Sequence, residues 1–135
     1  MPVVAFDHVA VPSSHPELML RFYRSLGFAC PDPEHWRSLN ARAFSVHFGD
    51  NKINFHAPVL WQDSAFTLRG PAARPGCGDF CFVWSGTEAE LASALEAAGA
   101  TIEEGPVRRI GGRRGGRDEG ISVYTRDPDS NLLEF

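Results

Sequence analysis

His8, Asp79 and Glu134 are the residues of this 135-residue chain whose types could do chemistry. One is an imidazole and two are carboxylates, and each sits in a run of strand-forming residues. In Val3-Val-Ala-Phe-Asp-His-Val-Ala-Val11, alternation sets Phe6, His8 and Ala10 on one face and Asp7, Val9 and Val11 on the other. Glu134 stands between Leu133 and Phe135, where a carboxylate buried without a partner is costly, so it must meet solvent or a cation. Asn54 and His56 share one face of a strand from 52 to 56, opposite Ile53 and Phe55. Imidazole nitrogens with carboxylate oxygens suit a divalent metal such as Fe, Mn, Ni or Zn. An incomplete ligand set leaves positions for water or substrate, as catalytic metals require. Tyr124 adds a candidate hydrogen-bond donor or acid. Taken singly, each has a structural reading: a packed histidine, a cap on the glycine-rich turn before Asp79, an exposed edge carboxylate, a strand aromatic. His15, His35 and His47 stand outside the pattern and read as surface or core histidines.

The elements that must position these residues repeat. After the first strand, Ser13 or Ser14 offers an N-cap for a helix whose stripe is Leu18, Phe22 and Leu26, widened by Met19 and Tyr23 and closed by Gly27. Short strands are expected at 28–30, 43–48 and 52–56. Residues 58–78, rich in proline and glycine, read as a linker. A strand at 79–84 opens the second series. Thr87 and Glu90 have capping-box spacing, Leu91, Leu95 and Ala98 form the helix stripe, and Gly99 closes it. A short strand at 101–104, an arginine- and glycine-rich loop at 108–118 and a hairpin around Asp127-Pro-Asp-Ser-Asn131 complete the unit. His8 precedes Gly27 by 19 positions and Asp79 precedes Gly99 by 20. That agreement predicts a duplicated βαβββ unit. The fold expected is α+β, two paired βαβββ modules making a curved mixed-sheet cup with helices outside. One domain spans 1–135, with module 1 at about 1–57 and module 2 at about 79–135. Pairing the modules about a pseudo-twofold axis gathers His8, Asp79 and Glu134, with Asn54 or His56, on one concave surface.

Composition bounds the partners. Apolar residues make up 43% and charged residues 22%, ordinary for a globular domain able to bury a core. A net charge of −4 argues against general nucleic-acid binding. No apolar run reaches membrane-spanning length, and the opening residues lack the pattern of a secretory signal. Cys30, Cys77 and Cys81, with no CxxC spacing, suggest a reducing, cytoplasmic setting with all three as small buried hydrophobes.

Phe6-Asp-His-Val-Ala-Val11, Phe22-Tyr-x-x-Leu-Gly-Phe28, Tyr124-x-x-Asp-Pro-Asp-x-Asn-Leu-Leu-Glu134 and the duplicated layout resemble the vicinal oxygen chelate superfamily of glyoxalases, bleomycin-resistance proteins and extradiol dioxygenases. Asn54-Phe-His56, Asp79-Phe-Cys81 and Glu104-Gly-Pro106 further resemble glyoxalase domain-containing protein 5-like members. The resemblance implies metal ligation by His8 and Glu134, with Asp79 where many members carry histidine and Asn54 where many carry glutamate. It implies a metal-dependent lyase, isomerase or dioxygenase acting on a small oxygenated substrate, and a homodimer. The alternative it carries is a metal-free binding protein of the bleomycin-resistance type, with an aromatic groove from Trp36 and Trp61. The five arginines of 108–118 read as a solvated loop, or as a lid over an anionic substrate. RNA binding through that loop is the weakest reading, because no aromatic platform accompanies it.

Overall fold

The computed structural model describes residues 1–135. In chain order the elements are β1 (His8–Pro12), α1 (Pro16–Ser25), α2 (Pro33–Ser38), β2 (Ala43–Phe48), β3 (Asn51–His56) and α3 (Pro58–Trp61). Then follow β4 (Asp79–Cys81), α4 (Glu88–Ala97), β5 (Glu104–Ile110), a 3₁₀ turn (Arg113–Gly115), β6 (Glu119–Arg126) and β7 (Leu132–Glu134). The strands build two mixed sheets, ordered β1-β3-β2 and β4-β7-β6-β5, and neither closes into a barrel. In each sheet the first strand runs parallel to the last, and the remaining pairs are antiparallel. A single bridge from Ala29 to His47 stands where β5 stands in the second sheet. With it, the two modules have the same order, as the duplication predicts.

Strand register carries the repeat down to single residues. His8 pairs with Lys52 and Ala10 with Asn54. Asp79 pairs with Leu132 and Cys81 with Glu134. One offset links the first strands (79 − 8 and 81 − 10, both 71) and another the last (132 − 52 and 134 − 54, both 80). The counterpart of Glu134 is therefore Asn54, and that of Cys81 is Ala10.

Alternation gives each sheet one packed and one open face. Val11, Phe44, Val46, Ile53 and Phe55 of the first sheet join Val123, Leu133 and Phe135 of the second in a single buried cluster. Met19, Leu20, Phe22, Tyr23 and Leu26 enter it from the α1 side, and Leu91 and Leu95 from α4. Removing a side chain such as Phe55 or Leu133 from water stabilises the fold by about 1.5–3 kcal/mol. Both are fully buried. His8, Asn54 and His56, and Asp79, Cys81, Glu134 and Tyr124, lie on the opposite, open faces.

Several local expectations change. Residues 1–7 lie exposed outside β1, although Val3, Val4 and Phe6 are strong strand formers. Asn51 Nδ2 of β3 donates to the carbonyls of Phe6 and Asp7, but no strand pairs with these residues along a ladder. The α1 stripe turns toward Met19 and Leu20, leaving Leu18 half exposed. Residues 33–38 form α2, with Asp32 accepting from the backbone N–H groups of Glu34 and His35 and Pro33 at the first helical position. The segment 58–78 is not a bare linker: it holds α3, and Arg69 ties it by donating to the carbonyls of Trp61 and Ala73. The strand expected at 79–84 stops at Cys81, and the start of the arginine-rich loop is strand, because β5 runs through Ile110. Cys77 and Cys81 are exposed and Cys30 is half-buried, so the cysteines are not uniformly core residues.

The modules are joined by a buried polar clasp. Ser13 and Ser14 do not cap α1, whose N-cap residue His15 supplies no side-chain bond. Instead Asp129 Oδ1 accepts from the backbone N–H groups of Ser14 and His15, at 3.0 and 3.1 Å. Tyr23 on α1 donates to Asp127 Oδ2 at 2.7 Å. Asp127 also accepts from the backbone N–H groups of Asp129 and Asn131 and from Asn131 Nδ2. The β6–β7 turn of one module thus closes the helix of the other. No helix is long and apolar enough to cross a membrane.

Candidate functional site

The open face of the second sheet carries the denser set of reactive groups. Cys81, Glu134, Tyr124 and Glu104 stand in one cross-strand row on β4, β7, β6 and β5. Glu134 is half-buried and has no cationic side chain within 4.0 Å among the ion pairs of the chain. The neighbouring Cys81 thiol is pushed up to about 11, first by loss of water around the sulfur and then by the charge of Glu134. Asp79, one turn of the pleat earlier, is exposed. Asn131 Oδ1, not Asp79, receives the Gly78 N–H in the glycine-rich turn, so Asp79 is not spent as a cap.

Tyr124 and Arg109 form a fixed pair on this face. Arg109 Nε donates to the Tyr124 hydroxyl at 3.0 Å, and the guanidinium lies 5.5 Å from the ring centroid. The phenol accepts from Arg109 and so keeps its own proton available for a ligand. Arg109 reaches this face because the β5–β6 register shifts between Glu104 and Val107. A cavity of ≈ 300 Å³ opens here, lined by Cys81, Trp84, Arg109, Arg113, Ser122 and Glu134 among others.

The open face of the first sheet is plainer. His8 is exposed, and its Nδ1 meets Asp7 Oδ1 at 2.6 Å, which leaves Nε2 free. The imidazole beside Asp7, by hydrogen bond and by charge, holds that carboxyl below its ordinary value. Lys52 is in register with His8. Ser45 Oγ donates to Asn54 Oδ1 at 2.6 Å. His56 pairs with Pro12, four positions beyond His8, about 13 Å along the strand. Phe66 packs edge-on against its ring, and burial, followed by the charge of Arg69, lowers its pKa. The register therefore sets Asn54 nearer to His8 than His56 is.

Within one chain no three His, Cys, Asp or Glu side chains converge as a metal-holding group. The donors lie on two separate faces, whose edge strands β1 and β4 are both unpaired on one side. Trp36 and Trp61, the expected groove residues, are instead committed to local packing: each donates its indole N–H to a backbone carbonyl, of Ala43 and Ser13 respectively. The aromatic surface that does open lies at Phe28, Phe48, Phe82 and Trp84, around a cavity of ≈ 590 Å³. Sequence reasoning missed Cys81, Ser122 and Trp84 as site residues, and it read Arg109 only as one of the five arginines of a loop. For Cys81 the signal was present, since the offset of 71 from Ala10 sets it beside Asp79 on the same face.

Comparison with known proteins agrees with this architecture. Virulence protein STM3117 of Salmonella typhimurium is 33% identical over 136 residues, covering 100% of this chain and 85% of that protein. Its crystal structure superposes with a TM-score of 0.78 over 99% of this chain and 96% of the other, at 32% identity. An integron cassette protein from the V. cholerae mobile metagenome also gives a TM-score of 0.78, at 28% identity, over 99% and 94% of the two chains. The glyoxalase domain-containing protein RDO1 of Mycosarcoma maydis is 29% identical over 135 residues, covering 100% of this chain and 69% of its own. Residues 5–135 match as one unit, and the chain belongs to the Glyoxalase/Bleomycin resistance protein/Dioxygenase superfamily.

Proposed function

We propose that the open faces hold a divalent metal (Fe, Mn, Ni or Zn) and a small oxygenated substrate, with two copies of the chain completing each centre. The observation that carries this reading is Glu134, a half-buried carboxylate on an open face with no cationic side chain to meet it. His8 supports it. An imidazole whose Nδ1 is engaged by a carboxylate presents an oriented Nε2, the usual arrangement behind a metal-binding histidine. The donor chemistry fits such a metal, but one chain does not gather it. The unpaired edges supply the means: β1 of one copy beside β4 of the other sets the His8 face next to the Glu134 face. In this homodimer His8 and Glu134 are the principal ligands and Asp79 a further oxygen donor. His56 enters only through a shift of its strand, because it lies beyond Asn54.

A metal bound there supplies a Lewis acid for adjacent substrate oxygens. The chain's own part is to orient the substrate and to donate a proton from the Tyr124 hydroxyl, which Arg109 positions. The reaction class is a lyase, isomerase or dioxygenase step in the cytoplasm, and the finer likeness to glyoxalase domain-containing protein 5-like members belongs to the same proposal. A second reading, a metal-free carrier, is favoured by the acid-free aromatic cavity at Phe28, Phe48, Phe82 and Trp84. Elemental analysis after dialysis against each metal, with sedimentation to give the assembly state, separates the two. The expected result is about one metal per chain in a dimer, with His8→Ala and Glu134→Ala each losing it. Purified protein that retains none of the four metals leaves the carrier reading in place and removes the enzyme one.

A further inference from the structure

The residues around the 3₁₀ turn point to a substrate class. We propose that Arg113 and Arg109 form a subsite for the anionic end of an amphiphilic small molecule whose apolar body lies against Trp84, Phe82 and Phe135. This rests on the small-molecule reading of the second sheet's open face, and not on its metal. Five of the chain's 13 cationic side chains fall within residues 108–117, in a protein of net charge −4. Such a concentration is a local field, not a general solubilising surface.

The five are not equivalent. Arg108 is paired with Glu119 at 3.7 Å, and Arg114 with Asp118 at 3.3 Å. Arg117 donates to the Arg114 carbonyl. Arg109 is held by Tyr124 and by the Arg108 carbonyl, with Glu104 more distant at 3.8 Å. Arg113 alone among them has neither an ion pair nor a side-chain hydrogen bond, and it lines the ≈ 300 Å³ cavity together with Arg109. A guanidinium without a partner, next to a second one that is already immobilised, offers the forked donors that carboxylates and phosphates accept.

The rest of the cavity defines the ligand. Ser122, buried on β6, adds a hydroxyl, while Phe82, Trp84 and Phe135 form an apolar wall. Three carboxylates also line the cavity: Asp118 and Glu119 are paired with Arg114 and Arg108, while Glu134 has no such partner and repels an anion placed against it, so the charged end belongs at the arginine side and the neutral, oxygenated part beside Glu134. At ≈ 300 Å³ the cavity stands at the small end of ligand sites, with room for a molecule such as a benzoate. Gly111, Gly112, Gly115 and Gly116 flank the turn, with Gly115 and Gly116 at φ +68° and +77°. The turn can therefore adjust around a bound anion at little steric cost.

Calorimetric titration of the full chain with phenyl phosphate, benzoate and benzyl alcohol tests the assignment and separates phosphate from carboxylate preference. The expected result is that one or both anions bind at least tenfold more tightly than the alcohol, and that 0.5 M salt weakens only the anions. Arg113→Gln weakens the preferred anion at least tenfold and leaves the alcohol unchanged. Arg114→Gln, which removes a cation already paired with Asp118, changes binding less than twofold. Glu134→Gln removes the proposed metal ligand yet keeps both arginines, so it retains the anion whether or not the native protein holds metal. The proposal is overturned by any of four results: equal binding of alcohol and anions, equal losses in the two arginine variants, loss of the anion in Glu134→Gln, or no anion binding at 10 mM.

Discussion

The two modules share one topology and one register, yet they have divided the work between them. Apart from Asp79, which answers to His8, the reactive positions of β4, β7 and β6 in module 2 have blander counterparts in module 1. Cys81 answers to Ala10, Glu134 to Asn54, and Tyr124, in register with Glu134, to Ser45, in register with Asn54. Module 1 keeps His8 and spends its second strand on a single bridge, with α2 following it in the chain. The same asymmetry runs through the helices. α4 caps itself: Thr87 Oγ1 accepts from Glu90 N and Glu90 Oε2 accepts from Thr87 N. α1 has no side-chain cap, and the residues that lead into it, Ser14 and His15, are held by Asp129 of the other module. Module 2 is thus self-sufficient where module 1 is dependent. Duplication supplied two equal scaffolds, and the differences lie in which scaffold holds and which is held.

Breaking the clasp has the largest expected effect. Asp127 receives four hydrogen bonds, and replacing it by asparagine turns an NH₂ group toward some of those donors. Asp127→Asn should cost about 3 kcal/mol in chemical denaturation, since losing buried bonds to a charged group is near the top of the usual range. The pH dependence has a definite sign. Burial raises the Asp127 pKa above the ordinary carboxylate value, against the hydrogen bonds from Asn131 and Tyr23 that lower it. The folded chain then binds this proton more readily than the unfolded chain. Its contribution to stability grows as pH falls through the folded pKa, and the asparagine variant lacks that rise. An identical pH profile in both proteins would show that Asp127 is not the group responsible.

The caps give a smaller and more direct comparison. Asp129→Ala should destabilise by about 2 kcal/mol and Thr87→Ala by about 1 kcal/mol, because the first leaves the Ser14 and His15 N–H groups leading into α1 unmet in a partly buried place and the second acts at an exposed helix end. Hydrogen exchange locates the losses. Asp129→Ala should speed exchange in α1, residues of the opposite module, while Thr87→Ala affects α4 alone. If both variants open only their own module, the clasp does not couple the two.

How much of this was legible beforehand follows from range. The duplication, the Thr87–Glu90 capping box and the terminal hairpin are local patterns, and each appears where its residues indicate. Period-two alternation put His8 on the face opposite Val9 and Val11, and Glu134 on the face opposite Leu133 and Phe135. What failed was whatever depends on a distant partner. Ser13 and Ser14 were reasonable caps, but α1 receives no side-chain cap, and a carboxylate 114 residues on holds the chain at His15 instead. Val3 to Phe6 have strand propensity, yet no strand pairs with them. Arg109 illustrates the subtler failure. Glu104 and Arg109 are an odd number of residues apart, yet both meet Tyr124, because an irregularity between Glu104 and Val107 reverses the alternation. No count along the sequence reveals such a reversal. His8 and Glu134 are a different case: their faces were legible, but the two sheets of one chain do not gather them into one metal-holding group.

The smallest effect expected is also the one that reads the Cys81–Glu134 pair directly, a pair module 1 replaces with Ala10 and Asn54. With its pKa near 11, the Cys81 thiol is about one part in a thousand thiolate at pH 8. Alkylation at Cys81, followed by peptide mass spectrometry in a Cys30→Ala, Cys77→Ala background, should therefore be slow at pH 8 and accelerate up to about pH 11. Glu134→Gln removes the negative charge, the second cause of the shift, while the loss of water that is its first cause stays. The midpoint should move down yet remain above that of an ordinary thiol. An unchanged midpoint would mean that Glu134 does not act on the sulfur. A midpoint falling fully to the ordinary value would assign the whole shift to that carboxylate, and the row of side chains across β4 and β7 would then be electrostatically tighter than its half-exposed position suggests.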